Sequence, residues 1–445
     1  MPHEPIIVVG GGMLGAALAR RLAPHRPVIV LEAGASLGGL TSTHDLVTAE
    51  GAVVPVDRFY HVILSSDRRV RAWLAELGLA EELDFRPVGS TVVAAGVAYP
   101  AASLAQMAGL PFLSVLDRMR IAASIGIGAL APPGPWFSRV PAQRWLRTVA
   151  GSSAAGAFWD PLLRAKLGPY ASQVSSNFLH ATFSRLLTAR LAGGGADLFS
   201  VVPGGYRRIL AEATRQLEDL GVQVVLNAEV TEVSGRPHGV RVRYRNGTAE
   251  HELTAAHAVL TTPATVTARI LPGLSEQSRA LLRSIPHLGV INVTALLRRA
   301  PDPAYLTYIV DDADITSVIG MHTLIPPQLT AGRYLVHLPR YCAPEDPIFE
   351  DTDEVIEKRF LSALRTVYPG VGPDDVEAVR VARARYVMPV PLLGAPAPPP
   401  VDLGIDNVSY IGSAQLEGGT LNVEATLELA GRLLPDALGT GRGVS

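Results

Sequence analysis

The chain has 445 residues, of which 48% are hydrophobic and 18% are charged, and its formal net charge is −2. This composition is that of a globular protein with enough apolar material for a sizeable core, and the length allows about three domains or fewer, larger interrupted ones. The net charge excludes a global electrostatic attraction to nucleic acid. The single cysteine, Cys342, excludes a disulfide framework and a cysteine-rich metal site, so we predict no metal ion and a cytoplasmic location.

The N-terminus reads as a strand, a glycine turn, a helix and a second strand that ends in an acid, and it lacks the basic leader of a signal peptide. Gly10, Gly12 and Gly15 fit the pattern G-x-G-x-x-G. The first glycine permits a tight turn, the second admits a pyrophosphate, and the third lets the helix pack on the strand. Glu32 follows about 20 positions later, where an acid accepts hydrogen bonds from a ribose hydroxyl. The sequence therefore predicts a dinucleotide-binding βαβ unit.

Beyond this unit, helical and strand patterns alternate along the chain. They predict an amphipathic helix at 67–79, two short strands at 91–99, a helical stretch at 103–191, a helix at 206–220, strands at 222–227, 229–233, 239–246 and 258–263, a mixed region at 266–391, and a strand, glycine loop and helix at 407–434. The apolar run at 121–131 is too short to cross a membrane. We predict that it forms a buried helix lining a pocket, with association to a membrane surface as the less favoured alternative.

Rossmann-like patterns occur three times, at the start of the chain, near its middle and at its end. We therefore predict one discontinuous domain from 1–85, 200–265 and 400–440, which binds the dinucleotide. The intervening 86–199 and 266–399 would form a second, substrate-binding domain threaded through the first. This interrupted layout is hard to reconcile with a simple NAD dehydrogenase.

A second glycine pair, Gly38-Gly39, comes shortly after Glu32-Ala33. It resembles the E-A-x-x-x-x-G-G extension of flavoproteins in the protoporphyrinogen oxidase, amine oxidase and carotenoid desaturase superfamily. The stretches that further resemble a bacterial, protoporphyrinogen oxidase-like branch are DRFYH at 57–61, WDPLLRAKLG at 159–168, PGGY at 203–206, VLTTP at 259–263 and IGSAQ at 411–415. Two positions depart from the usual pattern. Leu40 stands where most members have a basic residue, and Ser413 stands where many have an aspartate.

The resemblance implies an α/β (α+β overall) fold, in which a Rossmann-like FAD-binding domain of the glutathione reductase type is interrupted by a mixed, largely helical substrate-binding domain. It also implies non-covalent FAD, because Cys342 lies too far before the C-terminal motif to act as a tether. The residues it assigns to the cofactor are Gly10, Gly12, Met13, Leu14, Gly15, Glu32, Ala33, Gly38, Gly39, Leu40, Thr41, Arg58, Phe59, Tyr60, Val230, Thr262, Gly412, Ser413, Gly419, Thr420, Leu421 and Asn422. Glu417 or Glu424 is a conceivable substitute for the acid missing at 413.

The candidates for chemistry are fewer. His61 follows the segment expected beneath the flavin and could accept a proton as hydride leaves, although a packed or surface histidine is the alternative. Lys166 would suit a site near the isoalloxazine or an acidic substrate, or else lies on a solvated helix face. Tyr386 could stack at the ring. Arg164, Arg185, Arg340, Arg383 and Arg385 could each orient a carboxylate or phosphate, or else lie at the surface, and we favour Arg164 and Arg340 for the substrate.

Together these features predict a FAD-dependent oxidoreductase that accepts a hydride at flavin N5 from a C–H or C–N bond of a small-to-medium organic molecule. Oxygen or another acceptor would take the electrons, and no nucleic acid partner is expected. Two alternatives stay open: a non-redox flavoenzyme, such as a sugar-nucleotide mutase or a double-bond isomerase, and a flavin-binding protein without catalysis. The sequence names no substrate.

Overall fold

The structure is a computed structural model, and it describes residues 4–132, 134–416, 418 and 421–437. Its strands are β1 Ile6–Val9, β2 Val28–Leu31, β3 Thr43–Val47, β4 Val53–Asp57, β5 Ile63–Leu64, β6 Arg86–Pro87, β7 Ser90–Ala94, β8 Val97–Pro100, β9 Leu198–Ser200, β10 Gln223–Val225, β11 Glu229–Arg236, β12 Gly239–Asn246, β13 Ala249–Ala255, β14 His257–Leu260, β15 His287–Leu297, β16 Leu306–Ile309, β17 Ser317–Ile319, β18 Tyr334–Cys342, β19 Val376–Pro389 and β20 Val408–Tyr410.

The α-helices are α1 Met13–Leu22, α2 Arg68–Glu76, α3 Leu104–Ala108, α4 Val115–Leu130, α5 Pro135–Ser138, α6 Ala142–Ala154, α7 Asp160–Leu167, α8 Asn177–Ala192, α9 Gly205–Asp219, α10 Ala264–Ile270, α11 Glu276–Arg283, α12 Asp353–Val367 and α13 Val423–Ala437. A π-helical turn, Ala155–Trp159, joins α6 to α7. Within the described residues, no helix is both long enough and apolar enough to cross a membrane.

A five-stranded parallel sheet with the order β10-β2-β1-β14-β20 carries the N-terminal glycine loop. All four residues of β1 are buried, because alternate side chains enter hydrophobic cores on the two faces of the sheet. Ile6 and Val8 pack in one core, whereas Ile7 and Val9 pack in the other. The carboxyl ends of parallel strands meet at one edge of such a sheet, which is where open α/β sheets bind ligands.

A seven-stranded mixed sheet has the order β19-β15-β18-β17-β16-β7-β8, and only the β7–β16 pair is parallel. All eleven residues of β15 are buried. Helix α12 places Ile356 and Phe360 in a core shared with Ile291 and Val293 of β15. The division into two domains stays a prediction, but each sheet draws its strands from several separated stretches of the chain.

Helices α3–α8 form the helical region between β8 and β9 and share a core that includes Phe137, Trp145 and Leu146. The expectation of a buried helix at 121–131 needs correction. This stretch belongs to α4, which buries Ile121 but leaves Ile127 45% and Leu130 74% exposed, and none of its residues lines the cavity described below. The stretch is therefore buried on one side only, which its largely apolar sequence did not indicate.

Candidate active site

A cavity of about 940 Å³ lies at the carboxyl ends of the parallel strands and reaches the mixed sheet. Its wall includes Gly10 and Glu32 at one end and Tyr60, Lys166 and Tyr341 at the other. We call these the nucleotide end and the tyrosine pocket. The volume lies near the upper limit of the roughly 300–1,000 Å³ that is usual for ligand sites. One continuous cavity thus joins the glycine motif to a polar, aromatic wall.

At the nucleotide end, helix α1 begins directly after the glycine turn, and Gly12, Met13 and Leu14 all line the cavity. The unpaired amides of the first helical turn therefore lie at the cavity wall, together with the positive end of the helix dipole. Gly15 follows Leu14 in α1 and lies behind the cavity wall. A Cβ there would overlap the carbonyl oxygen of Gly10, so only glycine lets the helix pack this closely on the turn.

The second glycine pair lies directly beside the first glycine turn. The Gly38 N–H donates to the carbonyl oxygen of Gly11 at 2.8 Å, and a bridge pairs Gly12 with Gly38. Gly38 has a φ of +123°, and a Cβ on it would lie 2.6 Å from Leu210 of α9. The loop that follows, Gly39–Thr41, also lines the cavity. The two glycine loops therefore form one wall of the same end of the cavity.

Glu32 ends β2 and turns its carboxylate back to the glycine loops. Oε2 accepts the Gly11 N–H at 2.6 Å, and Oε1 accepts the Gly34 N–H at 2.7 Å. Each oxygen has a further lone pair, so the carboxylate can still accept a hydrogen bond from a hydroxyl in the cavity. Ala33, Val230 and Thr262 line this same cavity.

The C-terminal motif contributes the start of helix α13. Asn422 Oδ1 accepts the Ala425 N–H at 2.9 Å and so caps the helix, and Leu421, Asn422 and Ser413 line the cavity. Gly412 does not line it, and its N–H donates to Oε1 of the buried Gln415 at 2.8 Å. Gly419, Thr420 and Glu417 lie outside the described residues.

Glu424, the other conceivable substitute for the acid missing at position 413, does not line the cavity. Its carboxylate accepts the backbone N–H groups of Arg69 and Val70 at the start of α2, with distances of 2.9 and 3.0 Å to Oε2. It is thus committed to a helix terminus.

The tyrosine pocket is built on β15 and β18. Tyr341 pairs with Val290 and Pro339 pairs with Asn292 across these antiparallel strands. Direct cross-strand partners and residues two apart point to the same face of a sheet, and all four line the cavity. Tyr60 approaches from the N-terminal segment, and its hydroxyl lies 2.8 Å from that of Tyr341.

Lys166 lies in the last turn of α7, half-buried, with Nζ 3.5 Å from the centroid of the Tyr341 ring. This is a cation–π arrangement. The hydroxyl of Thr316 holds the two residues in position. Its Oγ1 donates to the carbonyl oxygen of Ala165 at 2.9 Å and accepts the Tyr341 N–H at 3.3 Å. Burial lowers the pKa of Lys166, and the nearby Tyr60 opposes this more weakly. The lysine therefore lies in the cavity wall and not on a solvated helix face.

His61 also lines the cavity and packs against the ring of Tyr206 at 5.2 Å. Its Nδ1 lies 2.9 Å from the carbonyl oxygen of Phe59. Because a carbonyl only accepts, Nδ1 carries the proton and Nε2 presents a lone pair. Burial lowers the pKa of His61 to about 4, so the ring is neutral near pH 7.

The structure brings some of the predicted residues to the cavity and leaves others outside. Phe59 and Tyr386 line it, and Tyr386 is 38% exposed, with its ring edge-on to His287. Arg58 is turned away, although its carbonyl accepts a hydrogen bond from Asn292 Nδ2 at 2.8 Å.

Of the five candidate arginines, Arg185 lines this cavity, whereas the two favoured ones, Arg164 and Arg340, do not. Arg164 is exposed on α7 and donates to the carbonyl of Asp160 at 3.2 Å. Arg340 forms an ion pair with Asp314 at 3.0 Å. Alternation along β18 explains the latter, because the neighbour of a cavity-facing Tyr341 must point to the opposite face. Their assignment to a substrate site finds no support here.

Sequence reasoning missed Tyr341, Thr316 and Asn292. Asn292 is fully buried, and its Oδ1 has no hydrogen-bond partner among the described residues. A buried amide is costly unless it is hydrogen-bonded, so an asparagine within the apolar run Gly289–Leu297 was a usable signal. Tyr341 and Thr316 left no comparable pattern.

The nucleotide end fits FAD. Two glycine loops and the amides at the start of α1 form a cradle suited to a diphosphate, and Glu32 retains acceptor capacity for a ribose. The start of α13 adds a second positive helix end to the same cavity. The chain's own groups thus supply the donors and acceptors that a dinucleotide requires.

Comparison with known proteins agrees with this geometry. The sequence model of a family described as flavin containing amine oxidoreductase matches residues 15–417, so the chain belongs to that family. A search of curated protein sequences finds no significant match.

Many solved structures are similar. One from Exiguobacterium, provisionally described as a protoporphyrinogen oxidase, has a TM-score of 0.73 at 16% identity and covers 99% of this chain and 100% of its own. Putrescine oxidase bound to putrescine has a TM-score of 0.70 at 20% identity, with 98% and 99% covered. Cyclohexylamine oxidase from Brevibacterium oxydans has a TM-score of 0.68 at 19% identity, with 98% and 99% covered. The TM-scores and the coverage establish a shared fold.

Family and fold together confirm the predicted fold class and the predicted cofactor. The protein is a FAD-dependent oxidoreductase, and its reaction is the transfer of a hydride from a C–H or C–N bond of an organic substrate to flavin N5.

Proposed function

We propose that this enzyme oxidises a small organic substrate held in the tyrosine pocket, and that oxygen or another acceptor then removes the electrons. One observation carries the proposal: the nucleotide end and the tyrosine pocket belong to one cavity. A cofactor seated on the glycine loops would therefore extend toward Tyr60, Lys166 and Tyr341. When bound, FAD supplies the hydride acceptor at N5.

The chain's own residues would bind and orient the two ligands. Gly12, Met13 and Leu14 would present amides to the diphosphate, and Glu32 would accept the ribose hydroxyls. The rings of Tyr60 and Tyr341 would enclose the substrate and exclude water, and Tyr386 would form the partly exposed rim.

Proton handling would fall to His61 and Lys166. The neutral His61 has a free acceptor at Nε2, while its pKa of about 4 favours rapid release of any proton it takes up. Lys166 offers ammonium donors to the pocket, and burial makes its proton easier to lose. We also propose a cytoplasmic location, because the one cysteine, Cys342, is buried and free, as suits a reducing compartment.

The test is an anaerobic titration. The purified protein should show a two-band flavin spectrum whose chromophore is released by denaturation, and the oxidised bands should bleach when a true substrate is added. Readmission of oxygen should restore the bands of an oxidase but not those of a dehydrogenase. Net conversion of a substrate without any electron acceptor would contradict the proposal and indicate a mutase or isomerase.

A further inference from the structure

The charges of the cavity wall are not evenly distributed. The acids that line it are Glu32, Asp67 and Glu229. Glu32 accepts two backbone amides, Asp67 lies 3.4 Å from Arg185, and Glu229 lies 2.7 Å from Arg245. Among the described residues, each cavity acid thus already has donors, and none belongs to the tyrosine pocket.

Lys166 differs from these acids. Within the described part of the chain, no acid forms a salt bridge with it or contributes to its pKa, and its contact is the electron-rich face of Tyr341. An ammonium in a partly buried wall loses solvation, and among the described residues no anion compensates for that loss. A ligand anion could supply the missing partner.

The position of Lys166 is also constrained. Thr316 ties the backbone before Lys166 to the backbone of Tyr341, so the end of α7 and strand β18 hold a defined spacing. Tyr60 adds a hydroxyl beside that of Tyr341. A lysine, two phenolic hydroxyls and two ring faces therefore converge on one small region.

We propose that the tyrosine pocket selects substrates that carry an anionic group such as a carboxylate, and that the Lys166 ammonium binds this group. The inference rests on the proposed function, since it assigns the substrate class of that same pocket. A carboxylate beside Lys166 would gain a charge-assisted hydrogen bond, and the tyrosine rings would cover the apolar part of the molecule. A protonated amine would instead meet a like charge, with no acid in the pocket to offset it.

The experiment measures binding to the oxidised, FAD-loaded protein, so it requires no turnover. Benzoate and phenylacetate are titrated against benzylamine and phenethylamine, which have matching rings, and the flavin absorbance is followed. The variants are Lys166→Met, Lys166→Arg and, as matched control, Lys358→Met. Lys358 is the only other lysine in the chain and lies exposed on α12, outside the cavity.

We expect the carboxylates to perturb the flavin bands of the wild-type protein at lower concentration than the amines. Lys166→Met should weaken carboxylate binding about tenfold or more, because a hydrogen bond to a charged group is lost. Lys166→Arg should retain part of the affinity, and Lys358→Met should behave as wild type. Carboxylate affinity should also fall with added salt.

Three results would overturn the inference: equal carboxylate affinity in the wild type and Lys166→Met, tighter binding of the amines to the wild type, or no response to any carboxylate. The comparison of carboxylates with amines uses the wild-type protein, so its result does not depend on whether the variants fold. Failure of the proposed function would look different, since the protein would then bind these probes but no substrate would bleach its flavin.

Discussion

Replacing Gly15 by alanine tests how closely helix α1 must approach the glycine turn. An alanine Cβ at this position would overlap the carbonyl oxygen of Gly10 and lie 3.0 Å from its carbonyl carbon. Both are backbone atoms of the turn itself, so no side chain can rotate away to make room. The matched control is Gly126→Ala in α4, where a Cβ would meet no atom within 4 Å.

The expected magnitudes follow from these surroundings. Overpacking costs about 1–3 kcal/mol, and a clash with backbone belongs at the upper end of that range. Alanine regains about 1 kcal/mol of helix propensity, which leaves a net loss near 2 kcal/mol for Gly15→Ala. Gly126→Ala lacks the clash and should gain about 0.5–1 kcal/mol. The two variants should therefore differ by roughly 3 kcal/mol.

Denaturant unfolding of the FAD-free protein measures these differences without the stabilisation that a bound ligand adds. FAD affinity is measured separately by fluorescence. Because a displaced Gly10 loop alters the cradle, Gly15→Ala should also bind FAD about tenfold more weakly. The reasoning is refuted if Gly15→Ala is as stable as the wild-type protein and binds FAD with unchanged affinity.

Three further predictions concern charge. Burial raises the pKa of Asp57 to about 7, above its ordinary 3.8, so the folded state holds the proton and stability falls as the pH rises from about 4 to 7. Asp57→Asn should remove this slope and gain up to roughly 4 kcal/mol at pH 8 in urea unfolding, and an unchanged slope would contradict the assignment. Burial lowers the pKa of His337 to about 3, below its ordinary 6.5, so the unfolded chain binds a proton more readily than the folded protein does. The stability of the folded protein is therefore highest above pH 6.5 and falls as the pH is lowered. The loss between pH 6.5 and 5 should be about 2 kcal/mol and should vanish in His337→Gln, as followed by circular dichroism. Glu32→Gln replaces an acceptor of the Gly11 or Gly34 N–H with a donor, so FAD affinity should fall about tenfold in a fluorescence titration, and an unchanged affinity would argue against Glu32 as a ligand.

Much of the nucleotide end could be predicted from the sequence. The strand, turn, helix and acid of the first βαβ unit follow one another within about 30 residues. Their geometry depends on backbone conformations that glycine permits, and a few neighbouring residues are enough to indicate these conformations. Gly38-Gly39 was recognised through its resemblance to the flavoprotein extension. The structure adds the bridge between Gly12 and Gly38, which the sequence did not indicate.

The tyrosine pocket could be predicted only in fragments. The sequence pointed to Lys166 and Tyr386 as site residues but not to Tyr341. It favoured Arg340, the residue before Tyr341, as a substrate ligand. Which of two adjacent strand residues faces a cavity depends on the register between β15 and β18, and that register is set by long-range packing. The contact between Lys166 and Tyr341 likewise depends on Thr316, and no sequence pattern around Thr316 indicates this role.

The sequence by itself therefore determined the dinucleotide-binding unit and its glycine cradle, because these depend on short-range backbone geometry. Its resemblance to flavoproteins then implied the cofactor class. Only the tertiary structure decided which side chains meet at the far end of the cavity and which charges there already have partners. Those facts arise where α7, β15 and β18 converge, and no stretch of the chain contains all three.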